Sequence, residues 1–95
     1  MTEVITPSSQ WQGDQVEGSR WTTGQIHALR QAGRNPDTVA TATVLRRPRV
    51  NAENWLMPPV PVRHVLPRLA ITRDGRRAKV ITPAGAVIWM EIARG

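Results

Sequence analysis

Residues 66–93 read LPRLAIT, RDGRR, AKVITPAG and AVIWMEIA in succession. Asp74-Gly75 sits between two alternating apolar runs, the strongest short-range hairpin signal, because these residues tolerate the left-handed backbone that a tight turn needs. With Asp74 and Gly75 at its centre, Arg73 faces Arg76, Ile71 faces Ala78 and Leu69 faces Val80. Side chains along a strand alternate between faces, so Leu69, Ile71, Ala78 and Val80 share one face. The other face carries Arg68, Ala70 and Thr72 against Arg77, Lys79 and Ile81. One side of the hairpin is apolar and the other largely basic.

Thr82-Pro83-Ala84-Gly85 suits a second turn, with Pro at its second position and Gly at its fourth. Ala86 to Ala93 is apolar on both faces, which fits a central or doubly covered strand. So short a run also fits a buried helix, but its Val, Ile and Trp content favours a strand. Residues 66–93 therefore read as a β-meander.

Trp21 to Gly33 carries the helix signals. Thr22 and Gln25 have the spacing of a capping box, and Trp21 and Ile26 that of a hydrophobic staple. Gly33 and Pro36 supply the stop. Ile26, Leu29 and Ala32 form an apolar stripe wide enough to dock the helix, Thr23 to Ala32, on one sheet. Five of the seven residues from Thr38 to Val44 are β-branched, so Thr38 to Leu45 reads as a strand; a helical turn after Asn35-Pro36-Asp37 is the competitor. Pro58, Pro59, Pro61 and Pro67 punctuate an extended connector, within which Val62 to Leu66 pairs briefly.

The expected fold is α+β: one helix on a small antiparallel sheet of three to four strands, with an extended N-terminal arm (1–20), a single small domain (21–95) and a Pro-rich connector. The arm is polar, anchored by Val4, Ile5, Trp11 and Val16 alone. The expected core is Ile26, Leu29, Val39, Leu45 and Trp55 with Leu69, Ile71, Val80, Ile88 and Trp89.

At 95 residues, the chain supports one modest core. It has no cysteine, hence neither a disulfide framework nor a thiolate metal site. No apolar run is long enough to span a bilayer and no leader pattern opens the chain. The expectation is a soluble protein without membrane contact, cytoplasmic or in a virion.

Charge is unevenly placed. Residues 1–45 hold three Arg against Glu3, Asp14, Glu17 and Asp37, a balance of −1; residues 46–95 hold nine Arg and Lys79 against Glu53, Asp74 and Glu91, a balance of +7. Twelve Arg to one Lys looks like GC-rich coding bias, which does not account for the asymmetry. A field of that sign attracts nucleic acid, acidic protein surfaces or anionic lipid alike.

Enzyme chemistry finds little purchase. His27 and His64 belong to no local motif with Ser, Asp or Glu, and the carboxylates are scattered. No cofactor or metal site is expected. The candidate binding surface is basic: Arg46, Arg47 and Arg49 with Arg68, Arg73, Arg76, Arg77 and Lys79. It could meet phosphates with a Trp stacking on bases, meet an acidic protein, or be a solvated face. A second candidate surface, for protein neighbours, is Trp11 with Pro58, Pro59, Pro61 and Arg63. Residues 58–63 fit Pro-x-x-Pro-x-Arg, the form of a polyproline ligand, and fit a stiff connector equally.

Residues 74–85, DGRRAKVITPAG, resemble the wing of MarR-type winged-helix regulators, in which Asp and Arg-Arg at the tip lead through a strand into Thr-Pro-x-Gly and a helix. The resemblance implies that Arg76 and Arg77 contact DNA and that Ala86 to Arg94 is helical. It covers twelve residues of 95, and a Pro-rich segment stands where a recognition helix should precede the wing.

The functional expectation is a non-enzymatic interaction or structural subunit of a larger assembly, such as a small phage-type virion or accessory protein. It would bind neighbours through its arm, Pro-rich strap and basic sheet face. The alternatives are a small nucleic-acid-binding regulator using the Arg73 to Lys79 hairpin, and a small inhibitor docking on a host protein.

Overall fold

A computed structural model describes residues 11–48, 55–56 and 60–94. One helix, α1 (Thr23–Gln31), precedes a four-stranded antiparallel sheet of β1 (Thr41–Arg46), β2 (Val62–Ile71), β3 (Arg77–Ile81) and β4 (Val87–Glu91), in spatial order β1-β2-β3-β4. The architecture is α+β. Among the described residues, no helix is long and apolar enough to cross a membrane.

The helix begins where its capping box lies. Thr22 Oγ1 accepts from Gln25 N at 3.2 Å, and Gln25 Oε1 accepts from Thr22 N at 2.8 Å. It ends in a Schellman motif: Arg34 N donates to Leu29 O (2.8 Å) and Gly33 N to Arg30 O (3.1 Å). Trp21 and Leu29 are buried with Ile81, and Ile26, Val39 and Leu69 pack around them. Trp21 Nε1 finds the carbonyl of Pro36 at 3.0 Å, so its polar edge is satisfied inside an apolar cluster.

The hairpin register near the tip is the one its turn chemistry dictates, with Ile71 opposite Ala78 and Ala70 opposite Lys79. Gly75 N donates to Thr72 O, and Thr72 N to Arg77 O, each at 2.9 Å. Further in, a bulge intervenes. Arg68, not Leu69, stands opposite Val80. Leu69 leaves the face of Val80 and joins the helix-side cluster, while alternation puts Arg68 on the face of Leu66. The uninterrupted register that grouped Arg68 with Arg77 and Lys79 is thereby corrected. Apolar matching along β2 is broken by Pro67, and one extra residue lets both Leu66 and Leu69 reach apolar surroundings. Arg34 Nη2 donates to the carbonyl of Leu69 at 3.3 Å.

The sheet curls until its edges meet. Val44 forms a bridge with Ile92, and Ala93 N donates to Thr43 O at 2.9 Å. Ala42, Val44, Leu66, Ala78 and Val80 fill the inside of this partly closed barrel, lined further by Ile88, Met90, Ile92 and Trp11. Small Ala side chains suit an interior this narrow.

Several expectations are revised. β2 runs straight through Pro67, which is buried and opposite Thr41. Arg68 N donates to Ala40 O, so by alternation the missing Pro67 N–H lies on the other side of β2, where β3 is already ending. β1 starts at Thr41, because Thr38 and Val39 turn back to bond Asn35 O. Val87–Glu91 is a strand, which removes the helix that the winged-helix resemblance implied, and no recognition helix precedes the hairpin among the described residues. β4 is covered on one face only: Trp89 is 50% exposed. Ile71, at the hairpin end, and Trp55 are likewise exposed rather than core.

The helix meets the barrel through the β3–β4 turn. Gln25, buried, donates from Nε2 to Ile81 O at 3.1 Å, and Thr22 Oγ1 donates to Pro83 O. Backbones touch here: a Cβ on Gly24 would lie 2.8 Å from the Ala84 carbonyl atoms, and one on Gly13 2.3 Å from Pro83 O. Gln25→Ala strips the cap from Thr22 N and leaves Ile81 O buried without a donor. It should lower the unfolding free energy by about 2–3 kcal/mol, read from urea denaturation. Gln25→Glu restores the capping oxygen but opposes a carboxylate to Ile81 O, and should remain less stable than the native protein.

Candidate anion-binding face

The outer face of the sheet follows from the two turns. Thr82 N bonds Ala86 O and Gly85 N bonds Thr82 O, both at 2.8 Å. That turn sets Arg77 opposite Glu91 and Lys79 opposite Trp89. Arg77, Lys79, Trp89 and Glu91 thus share one outward face of β3 and β4. Arg47, just past β1, reaches Glu91 across the closing seam, with Nε 3.5 Å from Oε1. Both side chains are exposed, so the pair contributes no more than about 1 kcal/mol; its significance is placement.

An open cleft of about 440 Å³ lies at this end of the sheet, lined by Arg76, Arg77, Glu91, Ile92 and Arg94. Arg76 enters because its carbonyl accepts from Ile92 N at 2.8 Å, which continues the β3–β4 ladder by one rung. Arg63 Nη2 donates to Arg94 O at 3.4 Å, bringing a further guanidinium to the rim. Among the described residues, Glu91 is the only carboxylate lining the cleft. Planar guanidinium forks suit carboxylate or phosphate oxygens.

The structure therefore gathers Arg47, Arg76 and Arg77 from the predicted basic set, with Lys79 beside Trp89. Arg73 stays at the hairpin tip, Arg68 lies on the opposite face, and Arg49 is outside the described residues. Arg94, Glu91 and Trp89 were not among the expected site residues. Pairing residues across the Thr82–Gly85 turn would have placed Glu91 and Trp89 there; Arg94 follows β4 and has no such local signal.

Arg46 belongs to a different cluster. Trp11 stacks on His64 with ring centroids 4.5 Å apart and planes 20° from parallel. The Arg46 guanidinium lies 5.2 Å from the Trp11 ring centroid, and Arg46 Nε donates to His64 Nε2 at 3.1 Å. Trp11, expected at a protein interface, is half-buried against the chain's own sheet. Of the other expected interface residues, Pro61 and Arg63 are exposed, and Pro58 and Pro59 lie outside the described residues.

Burial, and then the charge of Arg46, hold the His64 pKa below its ordinary value. At the hairpin, the Thr72 hydroxyl and the Arg76 N–H both donate to Asp74, and hold its carboxyl below the usual range. Compared with known protein families, curated proteins and solved structures, the chain matches none.

The unfolded chain protonates His64 before the folded one does, so this residue's contribution to stability is complete above about pH 6.5 and declines as pH falls through that value. Unfolding free energies of the native protein and His64→Gln, measured between about pH 7.5 and 5, should differ progressively in that sense. In an NMR titration, Arg46→Ala should move the His64 midpoint upward.

Proposed function

We propose that this chain is a non-enzymatic interaction subunit that docks an anionic neighbour on the outer face of β3 and β4. The observation that carries the reading is a cleft lined by Arg76, Arg77 and Arg94, in which Glu91 is the one carboxylate among the described residues and is itself paired with Arg47. These cations arrive from three separate parts of the chain: the end of β1, the start of β3 and the segment after β4. Their convergence is a product of folding, which a coding bias toward arginine does not by itself produce.

Cations brought together in this way repel one another. The tolerance of the fold for that repulsion is consistent with an anion that relieves it, as in complementary interfaces where oppositely charged patches steer association. A neighbour presenting carboxylates or phosphates would enter the cleft with its oxygens on the guanidinium forks.

The test is retention of the purified chain on immobilised polyglutamate and on heparin as salt is raised. Removing Arg76 and Arg77 together should release the protein at markedly lower salt from both matrices. Removing Arg20 and Arg30, two exposed cations of the helical half, should change elution little. Equal losses in the two double variants would mean that net charge, not this face, is responsible.

A further inference from the structure

The strands place Trp89 directly opposite Lys79 and one step along from the Arg77–Glu91 pair. Half of its indole is exposed, on the outer face of a regular strand. Resting on the docking reading above, we propose that the anionic neighbour is a single-stranded nucleic acid, with a base stacked on Trp89 and its backbone phosphates on Lys79, Arg77 and the Arg76–Arg94 cleft.

The surroundings of Trp89 separate this from a dry protein contact. The centre of a protein interface is depleted of charge, and its aromatic anchors sit in desolvated apolar pockets. Trp89 instead has an ammonium group's side chain as its cross-strand partner, with a guanidinium and a carboxylate one step along. Among the described residues of β4, Val87, on the other side, adds exposed apolar surface. An aromatic flanked by cations on an antiparallel sheet is the arrangement that binds unpaired bases. Each base offers a π face, and its phosphate falls on the neighbouring positive charge.

The helix is not presented to a duplex: an α-helix reads a major groove from an exposed face, whereas α1 has its apolar face in the core and its N-terminus against the β3–β4 turn. A curved outer sheet face with one projecting indole requires bases that can splay outward. Glu91 has a definite part here. It lies among Arg47, Arg76, Arg77 and Arg94 and competes with phosphate for them, so removing its charge should strengthen binding.

The experiment uses the full chain, a labelled oligothymidylate of about fifteen nucleotides, within the footprint of small single-strand binding folds, and a duplex of equal length. The single strand should bind more tightly than the duplex. Trp89→Ala should weaken single-strand binding roughly 5- to 100-fold, and Trp89→Phe should recover most of the loss. Trp89→Ala should elute from polyglutamate as the native protein does. Arg76→Ala with Arg77→Ala should flatten the slope of log K against log salt by about 1.4, and Glu91→Gln should tighten binding. Tighter binding of the duplex, or a Trp89→Ala protein that binds the strand like the native chain, overturns the nucleic-acid assignment while retention on polyglutamate preserves the docking reading. Loss of both strand binding and polyanion retention in the native protein removes the two together.

Discussion

One side chain serves both halves of this protein at once. Gln25 accepts the Thr22 N–H through its carbonyl oxygen and gives its amide hydrogen to the carbonyl of Ile81. The first bond starts the helix; the second ties that helix to the end of β3. Pro67, which reaches the same end of the sheet from β2, has no N–H to offer, so the donor for Ile81 comes from outside the sheet. A buried carbonyl left without a donor would cost more than an ordinary hydrogen bond contributes. This coupling explains why the helix lies where it does, with Gly24 against the Ala84 backbone. It also keeps helix α1 away from the outer face at the far end of β3, where Arg77 and Lys79 stand.

Features determined by neighbouring residues could be read from the sequence. The Thr22–Gln25 box and the Gly33 stop depend on side chains within one turn of the backbone they satisfy. The Asp74-Gly75 turn fixes its own register, and Thr82 through Gly85 does the same for the next. The bulge at Leu69 could not be read in this way. It arises because β2 serves two apolar clusters, Leu66 inside the barrel and Leu69 beneath the helix, with a proline between them. The core was also misjudged on size: large Trp55, Ile71 and Trp89 are exposed, whereas Ala42 and Ala78 are buried. Curling the sheet until β4 meets β1 makes the inside narrow and favours small residues, and that closure is a long-range event.

The basic face divides along the same line. That the basic character would concentrate on the sheet half was evident from charge balance alone. Which arginines would meet was not, because Arg47 joins Arg76 and Arg77 only when the sheet closes, and Arg94 follows the last paired residue of β4. Arg46 and Arg47 illustrate the limit of adjacency. One turns toward Trp11 and His64, the other toward Glu91, since successive residues of a strand face opposite ways. Trp11 is a related case. An apparently free aromatic in a polar arm stacks on a histidine of the chain's own sheet.

The seam between β1 and β4 is thin. One bridge, Val44 to Ile92, and one bond from Ala93 to Thr43 join strands that elsewhere in the sheet are laddered over their length. Such a junction is where a barrel breathes first, since few hydrogen bonds must break to part it. Arg47 stands on one bank of that seam and Glu91 on the other, with Arg77 beside Glu91 on β3. An anion held by both banks is therefore also a staple, and thermodynamic linkage requires the reverse to hold: whatever favours the shut seam raises affinity for the anion. On the docking proposed above, occupancy and closure draw on a single free energy, so the barrel's weakest joint is also its most responsive one.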